Sequence, residues 1–231
     1  MQKKTSPFHT KLKATGIHLL ISLFIFVLLV LWIYLDLYPS FYFNMSGGIQ
    51  GLGLMFGVDV VLGPLLTFLV FNPHKKLREI ISDLVIIGLV QLAALGYGLH
   101  TVYQEHPKLV IMYQNNVATV LSHREVREDE QLQKINLSQL THLEGVSLAK
   151  YQVVNGKGQF MPLNNVAQDL AQLDVFSRKF IDERNSAALK QLEQQHGKVW
   201  MIPVMGKYTG AYIVVDKDLN YLGKIGEKPV S

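Results

Sequence analysis

The residue that most invites a chemical question is Asp59, set inside 54-LMFGVDVVLGPLLTFLVF-71, a run otherwise apolar enough to cross a bilayer. A carboxyl at that depth is costly, about 2.5–3.5 kcal/mol on insertion scales, so it must hydrogen-bond to another helix, exchange a proton, or meet a partner. On a helix, positions four apart share a face, and Gly51, Met55, Asp59, Gly63 and Thr67 therefore form one small or polar stripe. A second run carries a counterpart stripe of Asp83, Ile87, Gln91, Ala94 and Gly98. At about 1.5 Å per residue, Asp59 lies roughly 18 Å and Gln91 roughly 16 Å from the ends joined by the short loop, so the two side chains are expected to meet. Pro64 removes a backbone donor, which in an α-helix frees the carbonyl of Val60 beside Asp59. Asp83 sits near the end of its run, where it can reach the headgroups. Gly53 and Gly57 add a small-xxx-small spacing, a common packing signal. The six residues expected to form an intramembrane, partner-accepting seam are thus Asp59, Gly63, Pro64, Thr67, Asp83 and Gln91.

Other chemistry finds little support. The eight histidines show no metal-binding spacing such as HExxH, although His100 and His106 are close enough in sequence to come together. No Walker loop, GxSxG elbow or SxxK is present, and Glu128, Asp129 and Glu130 are consecutive, which spreads them around a helix. With no cysteine, thiol chemistry is excluded. The expectation is a protein without enzymatic activity, metal or cofactor.

The elements that must hold the seam follow from composition. The chain of 231 residues is 49% apolar and only 17% charged, against about a quarter charged in soluble domains. Its apolar residues fall into blocks at 17–35, 49–71 and 80–103, each near the roughly 20 residues of a membrane helix. The first block is too long, and its exit too poor in small residues, for a cleaved signal peptide, and reads as an anchor. Of 22 Lys and Arg, seven precede residue 104, all before the first block or between the second and third. The positive-inside rule then puts the N-terminus in the cytoplasm and the C-terminal part across the membrane. Trp32, Tyr34, Tyr38, Phe41, Tyr42 and Phe43 read as an aromatic belt at the first exit.

The expected layout is a basic cytoplasmic segment at 1–16, a three-helix transmembrane domain at 17–103, and a small α+β extracytoplasmic domain at 104–231. In that last domain 15 Lys and Arg face 14 Asp and Glu, with no basic stripe for nucleic acid. KLVIMY (108–113) and VATVL (117–121), around Gln114, Asn115 and Asn116, read as a hairpin. HREVREDEQLQKI reads as a charged helix or surface loop, and Asn155–Gly158 as a turn. Asn164 or Asn165 caps a helix through VAQDLAQL, and a helix at about 185–195 ends at Gly197. VWMIPV, GAYIVVD and NYLGKIG read as strands, with a reversal at residues 216–220.

The segments 10-TKLKATGIHLLISL-23, 58-VDVVLGPLLTFLVFNPHKK-76 and 90-VQLAALGYGLHTVY-103 together resemble type IV pilin accessory proteins of the TfpX/TfpZ type. The resemblance is close over the membrane half and looser beyond it. It implies a bacterial inner-membrane, chaperone-like helper that affects the level or assembly of a cognate type IV major pilin. The partners it implies are that pilin, other pilus assembly proteins and membrane lipid. The competing class is a proton-using or energy-coupling membrane subunit with Asp59 as the titrating group.

Overall fold

The computed structural model describes residues 7–114, 117–163 and 165–230. The chain divides into two compact units. One joins the residues through Asp36 with Ile49–Tyr103, and the other joins Leu37–Gly48 with the residues from Gln104 onward.

The first unit is helical. α1 (Pro7–Trp32) runs on through a π turn at Ile33–Leu37, and the one-turn α2 (Tyr42–Met45) lies in the connection that follows. α3 (Gly48–Phe56), a π-helical stretch Gly57–Leu62 and α4 (Gly63–Val70) form one continuous second span. α5 (Leu77–Glu105) is the third. The spans are 31, 23 and 29 residues long, and even the shortest covers about 35 Å against a hydrocarbon core of about 30 Å. Their outward side chains are apolar: Leu20, Phe24, Leu54, Leu89 and Leu92 are all exposed. That is the burial pattern of helices whose solvent is lipid. α1 is already helical at Pro7, the first described residue, ten residues ahead of the apolar block, because no residue in between breaks the helix. α5 stops at Glu105 because His106 precedes Pro107, which disfavours helical backbone.

The second unit is α+β, built on an eight-stranded sheet. β1 (Pro107–Met112) and β2 (Ala118–Ser122) form the expected hairpin. Asn115 and Asn116 of its turn lie outside the described residues. α6 (His123–Glu128) follows, started by a reciprocal capping box between Ser122 and Glu125. β3 (Thr141–Leu143), β4 (Val146–Val154) and β5 (Lys157–Met161) come next, the last two joined at Asn155-Gly156, both with positive φ. Asn165 caps α7 (Val166–Phe180) by accepting from the Gln168 N–H, while Asn164 lies outside the described residues. α8 (Glu183–His196) ends at Gly197, φ 78°. β6 (Trp200–Met205), β7 (Thr209–Val215) and β8 (Tyr221–Pro229) complete the unit.

The sheet order is β3-β4-β1-β2-β6-β7-β8, with β5 also on β4. β1/β4 and β2/β6 are parallel, and the other pairs antiparallel. Strand alternation sends Val110, Met112, Ile202 and Ile213 into one core with Leu170 and Leu173 of α7. Leu109 and Ile111 enter a second core under α6, and Met201 and Val214 a third with Leu189 of α8. β2 meets β6 only at Ala118↔Val204 and Thr119↔Met205. Where β6 lacks that neighbour, Asp174 of α7 accepts the Met201 N–H at 2.9 Å, and Arg178 donates to the Val199 carbonyl.

The aromatic belt expected at residues 32–43 is corrected. Trp32 and Tyr34 are exposed, but Tyr38 and Tyr42 are fully buried and Phe41 nearly so. Phe41, Tyr42 and Met45 belong to the main core of the sheet unit, and the Tyr42 hydroxyl donates to the Leu143 carbonyl at 3.0 Å. The linker is thus a structural segment of the second unit. A ring that finds a packed core loses more contact with water there than at a headgroup layer, and its hydroxyl still has a partner.

Candidate functional site

The site begins with a helical irregularity. At the end of the π-helical stretch, the Gly63 N–H donates to Val58 O, five residues back, instead of Asp59 O, four back. In that register the next carbonyl, Asp59 O, would need the N–H of residue 64, which is proline and has none. In this register the carbonyl that Pro64 leaves without an N–H is that of Asp59, where an α-helical register would give that of Val60. A carbonyl without a partner in hydrocarbon costs free energy, and the Gln91 side-chain amide of α5 fills the gap, donating to Asp59 O at 3.4 Å. Asp59 and Gln91 do meet, but through backbone carbonyl and amide and not through the carboxyl.

Gly63 makes that contact possible. A Cβ placed there would stand 1.9 Å from Gln91 Nε2. The same tiling continues along the helix pair: a Cβ on Gly98 would lie 2.9 Å from Met55 Cγ, and one on Gly51 2.5 Å from Val102 Cγ2. Each of these three glycines thus receives a side chain of the other helix, the close packing that small residues permit in lipid. The Gly53/Gly57 pair is different, since a Cβ at either would meet nothing within 4 Å.

Thr67 does not join Gln91. It is 1% exposed, and its hydroxyl is 2.6 Å from Nδ1 of His18 on α1. Asp83 stands apart as well, paired with Lys75 of the preceding loop at 2.6 Å. The six expected residues therefore divide: Asp59, Gly63, Pro64 and Gln91 come together, Thr67 forms a second polar layer with His18, and Asp83 closes the loop. His18 was not among the expected site residues. The signal for it was present in the spacing of Thr15, His18 and Ser22 on one face of an otherwise apolar run, and Ser22 too is buried.

Between α3 and α5, on the Gly51/Val102 side of the Gln91 contact, lies a cavity of about 240 Å³. Asp59, Met55, Ala94 and Gly98 line it, with Leu54 and Tyr97 at its rim. Asp59 is 7% exposed, and no described residue donates a hydrogen bond to its carboxyl.

In the sheet unit, Glu105 receives Arg124 at 2.6 Å and Lys207 at 2.8 Å. His106 stacks on His123 at 5.2 Å between ring centroids. Burial, and then the charges of Lys108 and Arg127, hold the His123 imidazole below its ordinary pKa.

Three curated proteins of Dichelobacter nodosus are similar to this chain over 118 residues, 51% of its length. The fimbrial assembly protein of serogroup I is 39% identical, with 46% of its own length covered. That of serogroups C1 and C2 is 37% identical with 89% covered, and that of serogroup E1 36% identical with 46% covered. The match thus spans about half the length of two of these relatives and nearly all of the third. No family model and no solved structure matches the chain.

Proposed function

The chain belongs to the fimbrial assembly protein family, and from that premise we propose that it is an accessory protein of the TfpX/TfpZ type, acting on a type IV pilin in the bacterial inner membrane. In this reading it is not an enzyme. It holds or guards its cognate pilin before assembly, contacting the pilin's membrane helix with its spans and the globular head with its sheet unit. In this reading the N-terminus and the 72–78 loop face the cytoplasm and the sheet unit the periplasm, which the distribution of basic residues supports.

The observation that carries the reading is the pairing of a membrane bundle with a folded sheet unit in a chain similar to fimbrial assembly proteins. A pilin awaiting assembly has the same two parts. The test is affinity purification of the full-length chain from a piliated strain, together with pilin levels in a strain lacking it. Co-purification and a fall in pilin or pili are expected. Normal piliation with no pilin bound would end the proposal.

A second reading, a proton-using membrane subunit, draws on the buried carboxyl of Asp59 within the second span. It requires Asp59→Asn to abolish function in protein that accumulates normally. The accessory reading expects function to be kept, because Asn retains an acceptor oxygen and the contact from Gln91 goes to the backbone.

A further inference from the structure

Asp59 lines the cavity between α3 and α5, and no described residue donates a hydrogen bond to its carboxyl. We propose that this cavity is the docking site for one transmembrane helix of a different protein, which inserts an apolar side chain and gives a hydrogen bond from a polar side chain to the Asp59 carboxyl. The inference rests on the accessory reading above and narrows its membrane contact. The contact moves away from Gly63, Thr67 and Gln91, whose faces are filled by this chain's own side chains, to the stretch between Asp59 and Gly98.

Chemistry and depth select the occupant. The carboxyl accepts a hydrogen bond in either protonation state and can also donate one when protonated, so the occupant must bring a polar group, and one that donates serves both states. Asp59 stands roughly 18 Å from the Phe71 end of its span, near mid-bilayer, where an acyl chain has no donor and headgroup donors do not reach. A lipid tail in the cavity would leave the carboxyl facing hydrocarbon, which is the arrangement membrane carboxylates avoid. A second copy of this chain serves no better. Around that depth the exposed side chains Leu23, Phe24, Val61, Leu62, Leu89 and Val90 of its described spans are apolar, and the polar exceptions, Tyr97 and Thr101, already line this cavity. A foreign helix with a Ser, Thr, Asn, Gln, His or Lys at mid-span supplies both parts. The rim residues Leu54 and Tyr97 are 76% and 75% exposed, so the cavity is entered sideways from the bilayer, as a helix would enter it.

The experiment uses the full-length chain in piliated cells, with a photocrosslinking amino acid at Leu54, at Tyr97, or at Leu89 as a lipid-facing control. Pilin adducts, identified with antibody to pilin, are expected at positions 54 and 97 and not at 89. Asp59→Leu should reduce them roughly three- to twentyfold, the range spanned by single interhelical hydrogen bonds in membranes. Asp59→Asn, which keeps an acceptor, should retain most of the yield at equal abundance, so a fold defect in the Leu variant would not pass for success. Adducts only with lipid, only with this chain, or unchanged by Asp59→Leu overturn the proposal. If pilin co-purifies while the rim never captures it, the docking site is wrong and the accessory reading survives. If pilin neither co-purifies nor crosslinks, both fall.

Discussion

Gly63→Ala tests the link between the π-helical stretch and the helix pair. A Cβ at position 63 would lie 1.9 Å from Nε2, 2.8 Å from Cδ and 3.2 Å from Oε1 of Gln91. All three are terminal atoms of a flexible side chain, so the helix survives and Gln91 swings away. The Asp59 carbonyl then loses its donor, at a cost of about 0.6 kcal/mol for an average interhelical hydrogen bond and up to about 1.7 kcal/mol for the strongest. Against this, alanine gains about 0.8–1 kcal/mol over glycine in helix propensity. The single substitution should therefore fall between about 0.4 kcal/mol stabilising and about 0.9 kcal/mol destabilising. Its sign alone decides nothing, but its dependence on Gln91 does. In a Gln91→Ala background the three nearest atoms are gone, no hydrogen bond remains to lose, and Gly63→Ala should stabilise by about 0.8–1 kcal/mol. The coupling is the difference, about 0.6–1.7 kcal/mol. Reversible unfolding of the full-length chain in mixed micelles, followed by helical circular dichroism, measures all four corners of the cycle. Equal effects of Gly63→Ala in the two backgrounds would refute the assignment of Gln91 to the carbonyl freed by Pro64.

Three further outcomes are expected in the sheet unit. Tyr42→Phe removes a buried donor from the Leu143 carbonyl and should cost about 1–2 kcal/mol, read from denaturant unfolding by the fluorescence of Trp200; an unchanged midpoint would return the linker to the membrane interface. Asp174→Ala strips the acceptor from the Met201 N–H and should cost about 1–3 kcal/mol, with faster hydrogen exchange at that amide; unaltered protection would mean that the edge of β6 is covered by something else. The folded-state pKa of His123 is lowered by burial, Lys108 and Arg127, so the unfolded chain binds more protons near its ordinary value of about 6.5. Stability should therefore be full above that pH and fall as the medium is acidified through it. Thermal unfolding at pH 7.5 and 5.5 should show the drop, and His123→Gln should reduce it; a stability that rises on acidification would contradict the sign.

The three spans were legible in the sequence because a bilayer demands about 20 apolar residues in a row, a condition local to each segment. Capping and turn residues were legible for the same reason: Asn165, Gly197 and Asn155-Gly156 satisfy backbone requirements within a few positions of themselves. Asp59 and Gln91 could be brought to one depth by counting, since an antiparallel pair joined by a short loop leaves little freedom. Which oxygen Gln91 reaches was not legible, because it depends on a one-residue change of helical register that only the packed helix pair selects. Nor could spacing separate the polar layers: Thr67 lies on the Asp59 stripe by count, yet its partner is His18, 49 positions away. The destination of Tyr38, Phe41 and Tyr42 was likewise hidden, because an aromatic ring suits a membrane interface and a protein core equally well until a core is there to take it. The parallel pairs β1/β4 and β2/β6 join strands far apart in the chain, and no local pattern encodes such partners. Local physics, read from the sequence, determined where this chain is helical, apolar or turning. Tertiary structure decided which groups answer one another, because a hydrogen bond or a packed ring belongs to two segments and its free energy exists only once both are in place.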